Sequence, residues 1–341
     1  MIQAALQRLL DGHDLSRAEA REAMDEVMRG DATPAQIGGF LVALRVKGES
    51  VDEITGFAEA MYAHVLAVTP TRTDLVDTVG TGGDGAKTFN ISTAAGLVAA
   101  AAGAAVAKHG NRAMSSSTGS ADVLEALGFE LEQTSERIAQ SIDELGFGFM
   151  FAQVHHAAMR HAAPVRRELG TRTVFNVLGP LTNPAGARSG VFGVFSADLV
   201  QTYAGALAQL GSRHAFVVHG AGGIDELSPA GPNLVCEVIE GTVRERVVDP
   251  QELGLPACDP NDLRGGTPPE NADTIRAILG GEETGARRNA VLLNAAGAIV
   301  AAGHAADLRE GLTRAAEAID SGTARERLEQ LVSFSRTEVV A

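Results

Sequence analysis

The sequence of 341 residues lacks tryptophan, and aromatic residues make up only 4% of it. Because base-stacking surfaces are built from aromatic side chains, this scarcity disfavours binding to single-stranded nucleic acid. The chain also lacks a basic excess, since its net charge is −15, and this argues against binding to the phosphate backbone of DNA or RNA. We therefore expect no nucleic-acid partner.

Cysteines and long apolar runs are scarce as well. The two cysteines, Cys236 and Cys258, lie outside any C-x-x-C pattern, and we interpret them as reduced and structural. The longest apolar run, residues 94–107, is alanine-rich and too short to cross a bilayer. The first residues, MIQAALQRLLDGHDL, are amphipathic and differ from a signal peptide. We expect a cytoplasmic protein without a membrane partner.

Two patterns of hydrophobicity divide the chain. Residues 1–68 have apolar residues at helical spacing and predict a small helical domain. Residues 69–341 alternate between strand and helix patterns, which predicts a large α/β domain with a mainly parallel central sheet. Residues from about 159 to 185 are helical, and we expect them to join the N-terminal helices in space.

Individual elements follow from the same patterns. Ser16 with Glu19 indicates a capping box, and Thr33 before Pro34 indicates a helix start. The predicted strands are residues 75–79, 104–107, 215–219, 234–239 and 291–293. The predicted helices of the α/β part include residues 93–102, 120–127 and 308–319.

The most informative segment is residues 77–93, DTVGTGGDGAKTFNIST, which predicts a strand, a glycine-rich turn and a helix that starts near Ser92 or Thr93. Glycines without Cβ atoms allow the backbone to approach an anion closely. The turn amides and the positive end of the helix would then bind a phosphate group. A flexible surface loop would explain the glycines but not Asp84, Lys87 and the helix start together.

Two other nucleotide-binding motifs fit this segment poorly. Gly80, Gly82 and Gly85 match G-x-G-x-x-G, but no acidic residue follows about 20 positions later, as a dinucleotide site requires. A P-loop needs lysine directly after its last glycine, and Ala86 stands there before Lys87.

A second polar segment is residues 108–128, KHGNRAMSSSTGSADVLEALG. It predicts the end of a strand, a loop rich in donors and a helix capped by Ser120. Lysine, arginine, hydroxyls and amides at a helix start commonly bind phosphate. Because it follows a neighbouring strand, we expect it to meet the glycine-rich turn at the carboxyl edge of one sheet. Two such loops suit a ligand with phosphates at both ends, although a serine-rich surface turn is the simpler alternative.

Two further segments carry charged residues. In residues 155–184, Pro164 predicts a helix start that presents Arg166, and a guanidinium there can bind a carboxylate. A zinc site is disfavoured because His156 and His161 do not share a helix face and no cysteine or acid completes a site nearby. In residues 219–228, HGAGGIDELS, adjacent carboxylates follow a strand and could bind Mg²⁺ beside a polyphosphate, or could simply be a charge pair at a helix start.

Together these segments resemble the anthranilate phosphoribosyltransferases, a nucleoside-phosphorylase-like family. The matching motifs are GTGGD with FNIST, KHGNR with GSADVLEALG, PVRRELGTRTVFNVLGPLTNP, and a glycine-rich loop that ends in Asp225 and Glu226. Departures are small: Ala157 stands where the family usually has proline, and SSSTG differs from the commoner SSKSG. The resemblance implies a homodimer with a small helical domain and a large α/β domain. The site would lie in the cleft between them.

The resemblance also implies site residues. Phosphoribosyl pyrophosphate would be held by Gly80, Gly83, Asp84, Thr88, Asn90, Ile91, Ser92, Thr93, Lys108, His109, Gly110, Asn111, Arg112, Ser115, Ser116, Ser117 and Ser120. Anthranilate would be held by Gly80, Asn111 and Arg166. The cofactor would be Mg²⁺, bound by Ser92, Asp225 and Glu226. Catalysis would depend on Lys108, Asn111 and Arg166, with His109 as one candidate proton acceptor.

The implied reaction transfers the phosphoribosyl group to the amine of anthranilate and releases pyrophosphate. Two alternatives share the fold: a pyrimidine-nucleoside phosphorylase, and a nucleic-acid-binding relative without catalysis. The KHGNR and LGPLTNP segments argue against the first. The negative net charge and the retained acidic pair argue against the second.

Overall fold

A computed structural model describes residues 1–113 and 118–337. In these residues one sheet forms the centre of the molecule, with strands in the order β3-β2-β1-β4-β5-β6-β7. The strands are β1 (Leu75–Gly80), β2 (Ala105–Gly110), β3 (Phe147–Phe151), β4 (Ser189–Gly193), β5 (His214–His219), β6 (Asn233–Ile239) and β7 (Thr242–Val248).

The first five strands are parallel, and β6 and β7 are antiparallel additions at one edge. In the centre, Asp77 and Thr78 of β1 are level with Gly190 and Val191 of β4. The mainly parallel sheet predicted from the sequence is therefore confirmed. Parallel strands end at one common edge, so the loops after β1, β2, β4 and β5 lie next to one another.

Fifteen α-helices surround the sheet within the described residues. They are α1 (Ile2–Leu10), α2 (Arg17–Arg29), α3 (Pro34–Lys47), α4 (Val51–Ala63), α5 (Ile91–Ala101), α6 (Ser120–Leu127), α7 (Ser135–Leu145), α8 (Ala152–His155), α9 (Ala163–Leu169), α10 (Phe175–Leu178), α11 (Leu199–Gln209), α12 (Pro268–Leu279), α13 (Ala286–Ala301), α14 (Leu308–Asp320) and α15 (Thr323–Arg336). Short 3-10 helices occupy Ala157–His161, Gly179–Thr182 and Pro260–Leu263.

The helices α1 to α4 form the predicted N-terminal bundle. Its caps agree with the sequence: Ser16 and Glu19 form a capping box, and α3 begins at Pro34 after the N-cap Thr33. The apolar side of the bundle shares one buried cluster with residues of the segment 162–181, including Val165 and Leu178. That segment is the part of the chain between β3 and β4 that faces the bundle.

The parallel part of the sheet is buried on both faces, whereas most of β7 is exposed. Along β5, Ala215 and Val217 belong to the cluster that includes the N-terminal bundle, whereas Phe216 and Val218 belong to a second cluster with α5 and α13. Successive strand residues point to opposite faces, so this alternation follows from strand geometry. Burial on both faces also explains why parallel strands are apolar almost throughout.

One predicted strand is wrong. Residues 291–293 lie inside α13, because the short apolar run continues after Asn294 into AAGAIVA, and residues 290–301 of this helix are buried. A short apolar run fits a strand and a buried helix equally well, and only length separates the two. The strands β3, β4 and β7 were not predicted from the sequence. No helix among the described residues is long and apolar enough to cross a membrane.

Candidate functional site

The glycine-rich turn after β1 presents unpaired amides. Gly82, Gly83 and Gly85 have φ values of 69°, 77° and 79°, and Lys87 has a φ of 56°. Within the described residues, the amides of Gly83, Asp84 and Gly85 have no hydrogen-bond acceptor. Consecutive free amides in a left-handed turn form a concave donor surface that suits an anion.

The side chains of Asp225 and Asp84 hold the turn in place through hydrogen bonds. The Asp225 carboxylate accepts a hydrogen bond of 2.6 Å from the Gly82 amide, and the Asp225 amide donates to Asp84 at 3.3 Å. Asp84 also accepts a bond from the Ala86 amide at 3.1 Å. The loop after β1 and the loop after β5 are therefore one connected unit, although they are more than 140 residues apart in the sequence.

Gly80 has a different role from that expected. A Cβ atom on Gly80 would lie 2.2 Å from an Asp225 carboxylate oxygen. The missing side chain therefore makes room for the neighbouring acid. The other turn glycines, Gly82 and Gly85, have open space around them, and there the positive φ is the reason for glycine.

The helix after the turn begins earlier than predicted. Its N-cap is Asn90 and its first residue is Ile91, one residue before the predicted start near Ser92 or Thr93. The Asn90 side chain does not cap the helix; it donates to the Thr118 carbonyl at 3.2 Å and accepts from Asn271 at 3.0 Å. Both partners are far from Asn90 in the sequence, so the local sequence does not indicate these part-buried contacts.

The acidic pair after β5 contains an unsatisfied oxygen. Glu226 accepts a hydrogen bond of 3.1 Å from the Ser92 amide through Oε1, whereas its Oε2 is buried and has no partner among the described residues. Burial, followed by the charge of Asp225, raises the pKa of Glu226 well above its usual range. Burial and the Asp84 charge likewise raise the pKa of Asp225.

These properties fit a cation. A buried carboxylate oxygen without a donor is expensive unless a positive charge approaches it. Among the described residues, no three histidine, cysteine or acidic side chains are placed to hold a metal ion together. A metal here would thus need oxygens from its ligand, which is how Mg²⁺ is usually bound beside phosphates.

Lys108 at the end of β2 lies in the middle of this arrangement and is 1% exposed. Its Nζ donates to the Thr78 carbonyl at 2.6 Å and to Ser92 Oγ at 3.5 Å. Burial lowers the pKa of Lys108, and the carboxylates of Asp77 and Glu226 oppose that shift. A buried ammonium at this position would strongly stabilise negative charge that develops next to it, because the protein interior screens charges weakly.

The second loop differs from expectation at its helix. The N-cap of α6 is Gly119, and Asp122 accepts the Gly119 amide at 2.9 Å, so the predicted cap by Ser120 is wrong. Ser120 instead donates to the Asn111 carbonyl at 3.3 Å. The guanidinium of Arg112 is paired with Asp122 and Glu125. The predicted residues Ser115, Ser116 and Ser117 lie outside the described residues.

Arg166 on α9 is the clearest unpaired cation. The helix begins at Ala163, with Pro164 in its first turn, as predicted. The Arg166 guanidinium lies 5.2 Å from the Phe175 ring centre and has no hydrogen bond or ion pair among the described residues. Burial lowers its pKa. A half-buried guanidinium in this state suits a carboxylate ligand.

Two buried histidines lie at the same end of the sheet. The rings of His109 and His156 have centres 4.9 Å apart, and the Nε2 atom of each lacks a partner within the described part of the chain. Burial lowers the pKa of His156 to about 4 and that of His109 well below its usual range. Both rings are thus neutral at pH 7.

The structure thus gathers most predicted residues at one sheet edge. Those next to the acidic pair are Gly80, Asp84, Ser92 and Lys108, whereas Gly83 contacts Arg172 and Asn90 contacts Thr118 and Asn271. The side chains of Ile91 and Thr93 are buried in α5, and Thr88 pairs with Arg264 in an isolated bridge. His109, Gly110 and Asn111 end β2 or follow it directly.

Several supporting residues were missed. Asn183 donates to Asp77 at 2.8 Å and to the Ala107 carbonyl at 2.7 Å, and Asp77 also accepts from the His109 amide. Asn294 of α13 bonds both backbone groups of Leu227 and so supports the acidic pair. The LTNP motif was a signal for Asn183, but nothing local indicates Asn294.

Comparisons with protein families and individual proteins find similarity over nearly the whole chain. The model of a glycosyl transferase family, helical bundle domain, matches residues 3–65, and that of the same family's a/b domain matches residues 72–325. An anthranilate phosphoribosyltransferase from Anaeromyxobacter dehalogenans (strain 2CP-C) is 54% identical over 98% of both chains. One from Chloroflexus aurantiacus (strain ATCC 29366 / DSM 635 / J-10-fl) is 54% identical over 99% of both.

Solved structures similar to this chain are also anthranilate phosphoribosyltransferases. The anthranilate phosphoribosyltransferase from Thermus thermophilus has a TM-score of 0.93 and 49% identity, with 98% of this chain and 99% of that chain covered. The enzyme from Saccharomyces cerevisiae, in complex with PRPP and Mg, has a TM-score of 0.89 and 29% identity, with 98% and 97% covered.

Proposed function

Since this chain belongs to the anthranilate phosphoribosyltransferase family, we propose that the edge formed by the loops after β1, β2 and β5 is its active site. The chain is a phosphoribosyltransferase of tryptophan biosynthesis. It transfers the 5-phosphoribosyl group of phosphoribosyl pyrophosphate (PRPP) to the amine of anthranilate.

The proposed position of the active site rests on one observation. The free amides of the glycine-rich turn, which suit an anion, are bonded through Gly82 to Asp225, whose neighbour Glu226 has an oxygen that suits a cation. The amides that could bind a phosphate therefore lie next to the carboxylate oxygens that could bind a metal ion. A magnesium–pyrophosphate group needs both, whereas a bare anion would be repelled by the acids.

We assign the substrates accordingly. PRPP is held by Gly80, Gly83, Asp84, Thr88, Asn90, Ile91, Ser92, Thr93, Lys108, His109, Gly110, Asn111, Arg112, Ser115, Ser116, Ser117 and Ser120. For Arg112 this requires the ion pairs with Asp122 and Glu125 to be shared with the ligand. Anthranilate is held by Gly80, Asn111 and Arg166, with its carboxylate on the guanidinium.

Mg²⁺ is the proposed cofactor, with Asp225, Glu226 and Ser92 as its protein ligands. The yeast enzyme's structure in complex with PRPP and Mg supports this proposal. The chemistry that Mg²⁺ supplies is neutralisation of negative charge on the pyrophosphate leaving group. The buried, unpartnered Glu226 oxygen supports the fit of such a cation to the residues described.

The chain's own residues then perform three tasks. Lys108 and the amides of the turn stabilise the charge that grows on the leaving group as the bond to ribose C1 breaks. Arg166 orients the substrate so that its amine faces C1. An aryl amine is neutral at pH 7, so no strong base is needed. The neutral ring of His109 can hydrogen-bond near the amine, and its low pKa makes it a weak proton acceptor.

The activity is tested by fluorescence. Anthranilate emission should fall only when PRPP and Mg²⁺ are both supplied to the protein. Omission of either, or addition of a chelator, should leave the emission unchanged. Constant emission in the complete mixture would refute the assignment.

Replacement of Lys108 with methionine should lower kcat by about ten- to a hundredfold, because a charge-assisted contact to the leaving group is lost. Methionine has a similar length, but it leaves the Thr78 carbonyl without its donor and the buried Asp77 and Glu226 carboxylates without a nearby cation, so the melting temperature should fall. Steady-state kinetics and thermal melting measure both. A kcat within twofold of wild type would exclude Lys108 from the leaving-group site.

We also propose a homodimer that forms through the N-terminal bundle. Three apolar side chains of α1 and α3 are exposed: Leu10 by 66%, Val42 by 42% and Val46 by 83%. Val42 and Val46 are one helical turn apart and share a face, while Phe40 and Leu44 are fully buried behind it. An apolar patch on the outer side of a buried helix is typical of a contact surface between copies.

Exchange of both Val42 and Val46 for glutamate should therefore convert the dimer into a monomer, because carboxylates from each copy would meet or be buried at the interface. Light scattering after size exclusion gives the mass. The control is Val247 to glutamate on β7, which is 65% exposed and outside the bundle. A monomeric wild type, or a dimeric double variant, would refute the surface.

Two further proposals complete the description. We place the protein in the cytoplasm, where its substrates are charged metabolites, and we place the domain boundary between residues 68 and 69. The helices of residues 159–185 are assigned to the smaller, helical domain, because Val165 and Leu178 share its buried cluster.

A further inference from the structure

We propose that Arg172 is a positioning residue that holds the glycine-rich turn in its anion-binding conformation. This inference rests on the proposed function, because the turn is taken as part of the PRPP site. Arg172 follows α9 and lies on the segment that faces the N-terminal bundle. The turn follows β1, so the contact joins this segment to the edge of the sheet.

The first observation is a hydrogen bond. Arg172 donates through Nη2 to the Gly83 carbonyl, and a Cβ on Gly83 would lie 3.5 Å from Arg172 Nε. A peptide unit is planar and trans, so its carbonyl and its N–H point in opposite directions. Once Arg172 holds the Gly83 carbonyl, the direction of the Asp84 amide is fixed as well.

The second observation is that this turn needs such a restraint. Gly82 and Gly83 both have positive φ, and glycine adopts positive and negative φ with similar ease. The orientation of the peptide between Gly83 and Asp84 depends on ψ of Gly83 and φ of Asp84, and glycine restricts the first of these angles less than any other residue does. The hydrogen bond from Arg172 to the Gly83 carbonyl fixes the orientation of this peptide before the ligand binds.

The third observation is that Arg172 is itself anchored to the same turn. Its guanidinium lies 4.4 Å from the ring centre of Phe195. The Phe195 amide donates to Thr81 Oγ1 at 3.1 Å, and the Thr81 amide donates to the Gly193 carbonyl at 2.9 Å. The contacts close a ring from Thr81 through Phe195 and Arg172 to Gly83.

This ring explains why lysine would be a poor substitute. A guanidinium is planar and can stack on an aromatic ring while its edge donates to a carbonyl. A lysine ammonium at this position could contact the Phe195 ring or donate to the Gly83 carbonyl, but it could not do both. We therefore expect Arg172→Lys to loosen the turn as much as Arg172→Ala does, although lysine keeps the positive charge.

The test combines loop exchange with affinity. In the ligand-free protein, hydrogen exchange of a peptide covering residues 81–88 reports the amides of Thr81, Gly82 and Ala86, which are hydrogen-bonded in the turn. Arg172→Ala and Arg172→Lys should raise this exchange severalfold. The dissociation constant for PRPP with Mg²⁺, measured by calorimetry, should rise about ten- to a hundredfold in Arg172→Ala.

Arg167→Ala is the matched control, because Arg167 is an exposed arginine on α9 with no hydrogen bond or ion pair among the described residues. It should leave exchange and affinity unchanged. Phe195→Leu should also raise the exchange, which gives a second variant should Arg172→Ala fold poorly. Equal melting temperatures will show that the effect is local.

Two results would overturn the proposal. Normal exchange with weakened PRPP binding would mean that Arg172 touches the ligand and does not position the turn. Normal exchange with normal binding would mean that the contact has no role. Because exchange is measured without ligand, failure of wild-type protein to bind PRPP would refute the proposed function and leave this test intact.

Discussion

Replacement of Asp225 with asparagine together with Glu226 with glutamine is expected to lower kcat/KM by about a thousandfold or more. The two acids are the only adjacent carboxylates at the sheet edge, within the described chain, that contact both the glycine-rich turn and the start of α5. Without them Mg²⁺ would have only phosphate and hydroxyl oxygens, so the variant should also need far more Mg²⁺ for half-maximal activity.

Stability should change in the opposite direction. Burial raises the pKa of both groups, helped by the charge of Asp84 for Asp225 and by the charge of Asp225 for Glu226, so their ionised forms destabilise the folded protein. As pH rises above the ordinary carboxyl values, 3.8 and 4.5, the folded wild type holds more protons than the unfolded chain and loses stability. The amide variant lacks this loss. Measured with a chelator, its melting temperature should exceed that of wild type by a margin that grows with pH.

A matched control is available in Glu282 and Glu283, another adjacent acidic pair, in the loop between α12 and α13. Their exchange for glutamine removes the same two charges from the protein. Activity and Mg²⁺ demand should stay at wild-type levels. An unaltered Mg²⁺ titration in the Asp225 and Glu226 variant would contradict the metal assignment, whatever happened to the rate.

The second large effect is expected for Arg166→Ala. Loss of a paired carboxylate contact should lower kcat/KM for anthranilate by roughly a hundred- to a thousandfold, because two charge-assisted hydrogen bonds disappear. The KM for PRPP should change little, since Arg166 has no contact with the glycine-rich turn in the described structure. Steady-state kinetics with each substrate varied separately measures the difference.

Substrate variation sharpens this prediction. An aniline without the carboxylate should be a poor substrate for wild type, because it would leave the half-buried guanidinium unpaired. In Arg166→Ala the two amines should react at similar, low rates. Arg167→Ala on the same helix serves as the control. An equal rise of both KM values would show that Arg166 does not bind anthranilate specifically.

The sequence predicted the fold where its signals were local. Ser16, Thr33 and Pro164 mark helix starts that the structure has at the same places. It failed where tertiary contacts decide. Residues 291–293 were taken as a strand, because a short apolar run does not reveal whether its neighbours extend it into a buried helix.

The same division applies to the candidate site. The motifs indicated which loops carry phosphate donors and acids, because glycine, lysine and paired carboxylates are needed for that chemistry at any location. They did not indicate why Gly80 is glycine, since the reason is the Asp225 carboxylate on another loop. The starts of α5 and α6 depend on similar contacts, since Asn90 donates to the Thr118 carbonyl and Asp122 accepts the Ala113 amide from the preceding loop.

By itself the sequence determined the helical N-terminus, the alternation of strands and helices after it, the family, and the residue types at the edge of the sheet. Only the tertiary structure decided that Glu226 has a buried oxygen without a partner among the described residues, that Arg166 is unpaired there and that Arg172 holds Gly83. These are contacts between segments far apart in sequence. They depend on which strands are neighbours in the sheet, and local propensity contains no information about that.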